Sequence, residues 1–257
     1  MSDSRPIGFM DSGVGGISVL REAVKLLPNE NFIYYGDSAN APYGTRPKEE
    51  IIQLTDNAVQ KLLDMDCKAI VIACNTATSF AINELRAKYT NTPIIGIEPA
   101  VKPAAIICQN SKIIIMATPM TLKGEKFARL VAEHANGKQI VPMPCPGLVE
   151  LIESGEPLNG EKIRVYLQNL LKDYVYDNVA VIVLGCTHYP FIKGQLERLF
   201  PGETVIIDGS YGTSLQLLSK LKEFGLLNTS QTTGDVKIYN SSTTEKLLIL
   251  SKKLLSL

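Results

Sequence analysis

Ile70-Val-Ile-Ala-Cys-Asn-Thr76 and Ile182-Val-Leu-Gly-Cys-Thr187 are the two stretches whose reading decides the fold. Each is an apolar, β-branched run, then one small residue, then a cysteine followed at once by polar residues. Such a run predicts a short strand buried on both faces, as in parallel sheets. The polar residues that follow predict the turn where strand gives way to helix. A second pair matches at nearly the same offset: Ile7-Gly-Phe-Met-Asp-Ser12 resembles Ile113-Ile-Ile-Met-Ala-Thr118. Two matches at one spacing predict two related halves, each presenting a cysteine at a strand end.

Outward from these stretches the pattern repeats along the chain. Strands are expected at Pro6–Met10, Asn31–Gly36, Ala69–Ala73, Ile94–Ile97, Lys112–Ala117, Gln139–Pro142, Val179–Leu184 and Thr204–Asp208. Amphipathic helices are expected at Ile17–Leu27, Lys48–Asp64, Ser79–Tyr89, Thr121–Ala135, Glu161–Lys172, Lys193–Phe200 and Ser214–Phe224. Alternation of this kind defines an α/β fold with mainly parallel sheets. Ligands of such folds sit at the carboxyl ends of the strands.

Composition narrows the function. The 257 residues are 45% hydrophobic, enough for one large core or two modest ones. Lys+Arg and Asp+Glu balance at 26 each, so no broad basic field exists to hold a phosphate backbone, and nucleic acid is set aside as a partner. No run approaches the roughly 18 apolar residues of a membrane span. The N-terminus runs into its first strand without a signal-peptide pattern, which points to the cytoplasm. The five cysteines, Cys67, Cys74, Cys108, Cys145 and Cys186, are widely spaced and contain no C-x-x-C. Neither a zinc site nor a thioredoxin-like motif has local support.

Cys74 and Cys186 carry the chemistry. A helix N-terminus has unpaired N–H groups and a partial positive charge, which favour thiolate over thiol. Asn75 and Thr76 add donors beside Cys74, and Thr187 stands beside Cys186. His188, two residues past Cys186, is placed to hold or orient a proton. His134 reads as an ordinary helix residue. Asp11 ends the first strand and opens the turn Ser12-Gly-Val-Gly-Gly16. That turn is not G-x-G-x-x-G, and no Gly-Lys-Ser/Thr follows, so nucleotide binding lacks support. Its backbone can still bind a carboxylate. Tyr43 and Gly44 lie in a polar loop. Glu150 and Glu153 follow Cys145, and nothing local separates them.

Five segments together resemble the glutamate racemase family: Met10-Asp-Ser-Gly-Val-Gly-Gly-Ile-Ser-Val-Leu20, Tyr35-Gly-Asp-Ser-Ala-Asn-Ala-Pro-Tyr-Gly44, Ala73-Cys-Asn-Thr-Ala-Thr78, Gly96-Ile-Glu-Pro-Ala100 and Leu184-Gly-Cys-Thr-His-Tyr-Pro190. The resemblance implies two similar three-layer α/β domains, pseudo-symmetric about a central cleft, with residues 1–97 plus 209–257 in one and 98–208 in the other. It implies a cofactor-independent, pyridoxal-phosphate-free racemase that interconverts L- and D-glutamate by a two-base proton transfer at Cα, without metal. D-Glutamate would then feed peptidoglycan of the cell wall. Carried over by residue, Cys74 and Cys186 are the acid/base pair, Asp11 assists Cys74, and Glu153 and His188 assist Cys186. Asp11, Ser12, Tyr43, Gly44, Asn75, Thr76, Thr118, Thr187 and His188 would hold the substrate. A homodimer is compatible with this reading. Rival readings are an aspartate racemase, a two-lobed amino-acid-binding protein, which has no need of twin thiols, and a thiol redox protein, which lacks its C-x-x-C.

Overall fold

A computed structural model describes residues 2–108, 111–135 and 137–256. The chain divides into two compact units, Met1–Glu98 with Ser210–Leu257, and Pro99–Gly209. Each is built on an all-parallel sheet.

The first unit contains β1 (Ile7–Asp11), α1 (Ile17–Leu26), β2 (Phe32–Gly36), α2 (Lys48–Asp64), β3 (Ala69–Ile72), α3 (Asn75–Lys88) and β4 (Ile94–Gly96). In the second unit follow α4 (Val101–Ile107), β5 (Lys112–Ala117), α5 (Pro119–Lys123), α6 (Glu125–His134), β6 (Gln139–Pro144), α7 (Leu148–Glu153), α8 (Glu161–Leu171), β7 (Val179–Leu184), α9 (Lys193–Leu199) and β8 (Val205–Asp208). The chain then returns to the first unit with α10 (Ser210–Glu223), β9 (Val236–Asn240) and α11 (Glu245–Leu255). Among the described residues no helix is long and apolar enough to cross a membrane.

The strand orders are β4-β3-β1-β2-β9 and β6-β5-β7-β8. Read outward from β1 and from β5, four strands of each sheet follow one scheme: β1 corresponds to β5, β2 to β6, β3 to β7 and β4 to β8. The sequence repeat therefore has a topological counterpart, because the paired motifs end β1 and β5, and β3 and β7. In both sheets the chain leaves the first strand to one side and returns on its other side. The loops after β1 and β3 diverge, as do those after β5 and β7, which opens a crevice at each carboxyl edge.

Strand periodicity sorts the core. In the second unit Ile113, Ile115, Val181 and Val183 pack with Val101, Ala104 and Phe127 on one face. Ile114, Met116, Ile182 and Leu184 point the other way, to Leu148, Ile163, Leu167 and Leu196. Burying each such side chain contributes roughly 1.5–3 kcal/mol.

Three helical expectations need correction. The helix expected at Thr121–Ala135 is two, because Gly124 is extended (φ −69°, ψ 137°) and caps the second. The helix expected from Ser79 begins at Asn75, since the Cys74 sulfur caps it and burial outweighs the poor propensity of the Thr-rich start. Similarly, α10 begins at Ser210 rather than Ser214. The short helices α4 and α7 and the strand β9 have no periodic signal of their own. β9 is an edge strand with alternating exposure, held in register by β2.

The returning chain is tied down by a buried ion pair. Lys68 donates to Glu30 at 2.6 Å, and their side chains are 0% and 2% exposed. Lys68 also reaches the Asp3 carbonyl. The second Glu30 oxygen accepts the Asn228 amide at 2.7 Å. Farther along, the Gly234 amide donates to the Pro28 carbonyl, at a point where a Cβ would lie 2.0 Å from the Glu30 carbonyl oxygen. These contacts deliver the chain to β9. Removing one member of a buried pair strands the other charge, so Lys68→Met should lower unfolding stability by about 3–5 kcal/mol in urea titrations. A loss below about 1 kcal/mol would show that the pair does not hold the fold.

Candidate active site

In the first unit β1 delivers Asp11 to the crevice, fully buried. Its carboxylate accepts the Gly13 amide at 2.8 Å and shapes the turn into α1. At Gly16 a Cβ would lie 2.7 Å from the Asp11 Cβ and 2.9 Å from the Ala73 Cβ. Glycine thus lets the turn lie against both strand ends at once. β3 ends one small residue before Cys74, whose sulfur accepts the Ala77 amide at 3.4 Å. Its thiol reaches the Ser12 hydroxyl at 3.6 Å. Asn75 and Thr76, both buried, open α3. The Asn75 side-chain carbonyl oxygen is buried with no hydrogen-bond partner. A buried acceptor left unpaired costs about 1–3 kcal/mol, and a bound donor would recover it.

Tyr43 is buried rather than a solvated turn residue. Its phenol donates to Asp37 at 2.7 Å. Burial pushes it far above its ordinary value, with Asp37, Cys74 and Asp11 adding to the rise. Tyr43 therefore stays neutral and donates. Gly44 follows it in the same turn. Asp37 is a site residue that local sequence pattern does not single out. Its mark in the chain is its place directly after β2, six residues before a tyrosine.

In the second unit β7 ends at Leu184, and Gly185 passes close to β5: a Cβ there would lie 3.0 Å from the Met116 carbonyl oxygen. Cys186 follows, buried, with its sulfur 3.8 Å from His188 Nδ1. The other ring nitrogen, Nε2, lies 2.7 Å from Glu153 Oε1. The three side chains form one hydrogen-bonded chain. Burial works against a charged His188, yet hydrogen bonds to Cys186 and Glu153 and their charges outweigh it, holding the imidazole well above 6.5. Glu150 is exposed. Thr187 is buried beside Cys186. Thr118, at the end of β5, caps α5 by accepting the Thr121 amide at 3.2 Å.

The remaining cysteines differ in setting. Burial pushes Cys67 and Cys145 up to about 12, out of range for a base at neutral pH. Cys108 is buried and donates to the Ser111 carbonyl. His134 lies in the last turn of α6. Among the described residues no group of three or more His, Cys, Asp or Glu side chains could hold a metal ion.

The sequence matches the protein family described as Asp/Glu/Hydantoin racemase over residues 7–211. It is 56% identical to the glutamate racemase of Clostridium acetobutylicum, over 99% of this chain and 98% of that one. Among solved structures it is similar to glutamate racemase from Francisella tularensis in complex with D-glutamate, with a TM-score of 0.85, 29% identity, and 99% and 95% of the two chains covered. It is similar also to Escherichia coli glutamate racemase in complex with L-glutamate and the activator UDP-MurNAc-Ala, with a TM-score of 0.86, 29% identity, and 97% and 95% covered.

The His188 geometry makes a pH prediction. A group with a raised folded pKa contributes stability that is fully present below its unfolded value, about 6.5, and is lost as pH rises through the folded value. Glu153→Gln removes a charged acceptor, so at about pH 6 it should destabilise the protein by roughly 2 kcal/mol. The gap should close as pH rises. A gap that stays constant or widens with pH would contradict the assignment.

Proposed function

The chain belongs to the Asp/Glu/hydantoin racemase family, and we propose that it interconverts L- and D-glutamate by a two-base transfer at Cα, with Cys74 and Cys186 as the bases. The observation that carries this reading is that each unit sets a buried thiol at the switch point of its own sheet, within hydrogen-bond reach of a polar side chain.

Racemisation removes the Cα proton and returns one to the opposite face. Two opposed groups do this without moving the substrate. An unperturbed thiol titrates at about 8.5, close enough to neutrality to serve as base in one direction and acid in the other. In this reading His188 and Glu153 supply the acid–base support for Cys186. Asp11, Ser12 and the start of α3 do so for Cys74. Neither step changes oxidation state, so the mechanism requires no redox cofactor.

The Cα proton is weakly acidic, and negative charge moves onto the substrate carboxylate as it leaves. Backbone amides at the start of α3, with the hydroxyls of Thr76, Thr118 and Thr187, are suited to stabilise that charge. The unpaired Asn75 oxygen suits the α-ammonium as a donor. Ser12, Tyr43 and Gly44 complete the contacts assigned to the substrate. The product, D-glutamate, would serve peptidoglycan synthesis. The preference for glutamate over aspartate rests on the relatives.

Cys74→Ser and Cys186→Ser should each lower racemisation by about 10²–10⁴-fold, the usual worth of a positioned acid or base. Each variant should keep Cα exchange with one enantiomer only, while Cys67→Ser and Cys108→Ser remain near the parent rate. Chiral chromatography with L- and D-glutamate reads both quantities. A Cys74 or Cys186 variant that racemises at the parent rate would end the two-thiol reading. Higher kcat/KM on aspartate would end the glutamate assignment.

A further inference from the structure

Glu153 is the last residue of α7, a helix of six residues. So short a helix has no stability of its own and takes its position from its surroundings. Its inner face is anchored by Leu148 and Ile152, both fully or almost fully buried. Its approach is less ordinary. The last contact with the sheet is the Cys145 amide on the Ala117 carbonyl at 3.0 Å. Pro146 then has no N–H to give, and Gly147 turns the chain at φ 78°. Two successive carbonyls at this bend, of Cys145 and Pro146, each receive a tyrosine. The Tyr189 phenol donates to the Cys145 carbonyl at 3.4 Å. The Tyr166 phenol, from α8, donates to the Pro146 carbonyl at 2.9 Å.

We propose that Tyr166 and Tyr189 are positioning residues: by holding these two carbonyls they set where α7 carries Glu153, and so whether its carboxylate meets His188. Tyr189 directly follows His188 in sequence and is fully buried. Its ring therefore ties the loop that bears Cys186 and His188 to the bend that leads to Glu153. Tyr166 ties the same bend to α8. The His188–Glu153 contact is then fixed from both ends. The inference rests on reading Glu153, His188 and Cys186 as one acid–base unit. Around His188 the titratable groups are Cys186 on its own loop and Glu153 on α7, with Cys145 and Tyr166 acting on the neighbouring Tyr189.

The test removes each hydroxyl and keeps each ring: Tyr166→Phe, Tyr189→Phe and the double variant, in the full chain. The readout is the His188 imidazole titration by NMR, beside pH profiles of kcat and KM for both enantiomers. His188 should titrate lower in each variant and lowest in the double one. Its kcat should fall by roughly tenfold, as for a displaced catalytic group, with KM little changed. In a Glu153→Gln background the tyrosine changes should add no further shift, because the contact they position is already gone. Variants that unfold as cooperatively as the parent yet keep its His188 titration would overturn the proposal. So would a shift of equal size in the Glu153→Gln background. Tyr166 is only partly buried, so its variant stays informative even if Tyr189→Phe fails to fold. The titration needs no turnover, so it reports on the tyrosines whether or not the cysteine variants uphold the two-thiol reaction.

Discussion

Parallel strands end together, and where the chain turns back past its first strand their loops must part. Much else in this protein follows from that constraint. In each unit the parting falls beside the first strand, between β1 and β3 and between β5 and β7. The gap is lined by backbone amides with no strand left to pair with. A side chain placed there is buried yet within reach of polar groups. Each of the two cysteines lies one small residue past its strand. Burial alone does not make a thiol usable, as Cys67 and Cys145, both pushed up to about 12 by burial, illustrate.

The two thiols are supported by different physics. Cys186 is backed by a titratable chain, His188 held by Glu153. Cys74 is backed by fixed dipoles: the Ala77 amide at the start of α3 and the Ser12 hydroxyl, with the Asp11 carboxylate engaged in the adjoining turn. Pseudo-symmetry of the sheets thus does not extend to the electrostatics. In the proposed reaction, the half that depends on Cys186 carries an imidazole that Cys186 and Glu153 hold well above its ordinary value, whereas the partners named for Cys74 are an amide and a hydroxyl.

The strands and both cysteine turns were legible because strands buried on both faces are written as unbroken β-branched runs, and polar residues mark where they stop. The repeat was legible for the same reason. Features that depend on distant contacts were not. β9 alternates in exposure and exists because the Lys68–Glu30 pair and the Gly234 contact bring it to β2. Glu150 and Glu153 are alike locally, and only the folded contact of Glu153 with His188 separates them. The Tyr43 loop looks polar in sequence, yet Tyr43 itself is buried with its phenol on Asp37. The Asn75 oxygen shows its unmet valence only once α3 is folded around it.

The central claim is that different thiols serve the two faces of one carbon. Early-time incubation of L-glutamate in D2O tests it most directly, with isotope content measured separately in product and recovered substrate. Two thiols predict D-glutamate that carries deuterium from the first turnover, while recovered L-glutamate stays protiated. Product that keeps the substrate hydrogen, or substrate that gains deuterium as fast as product forms, would mean a single base and contradict the account.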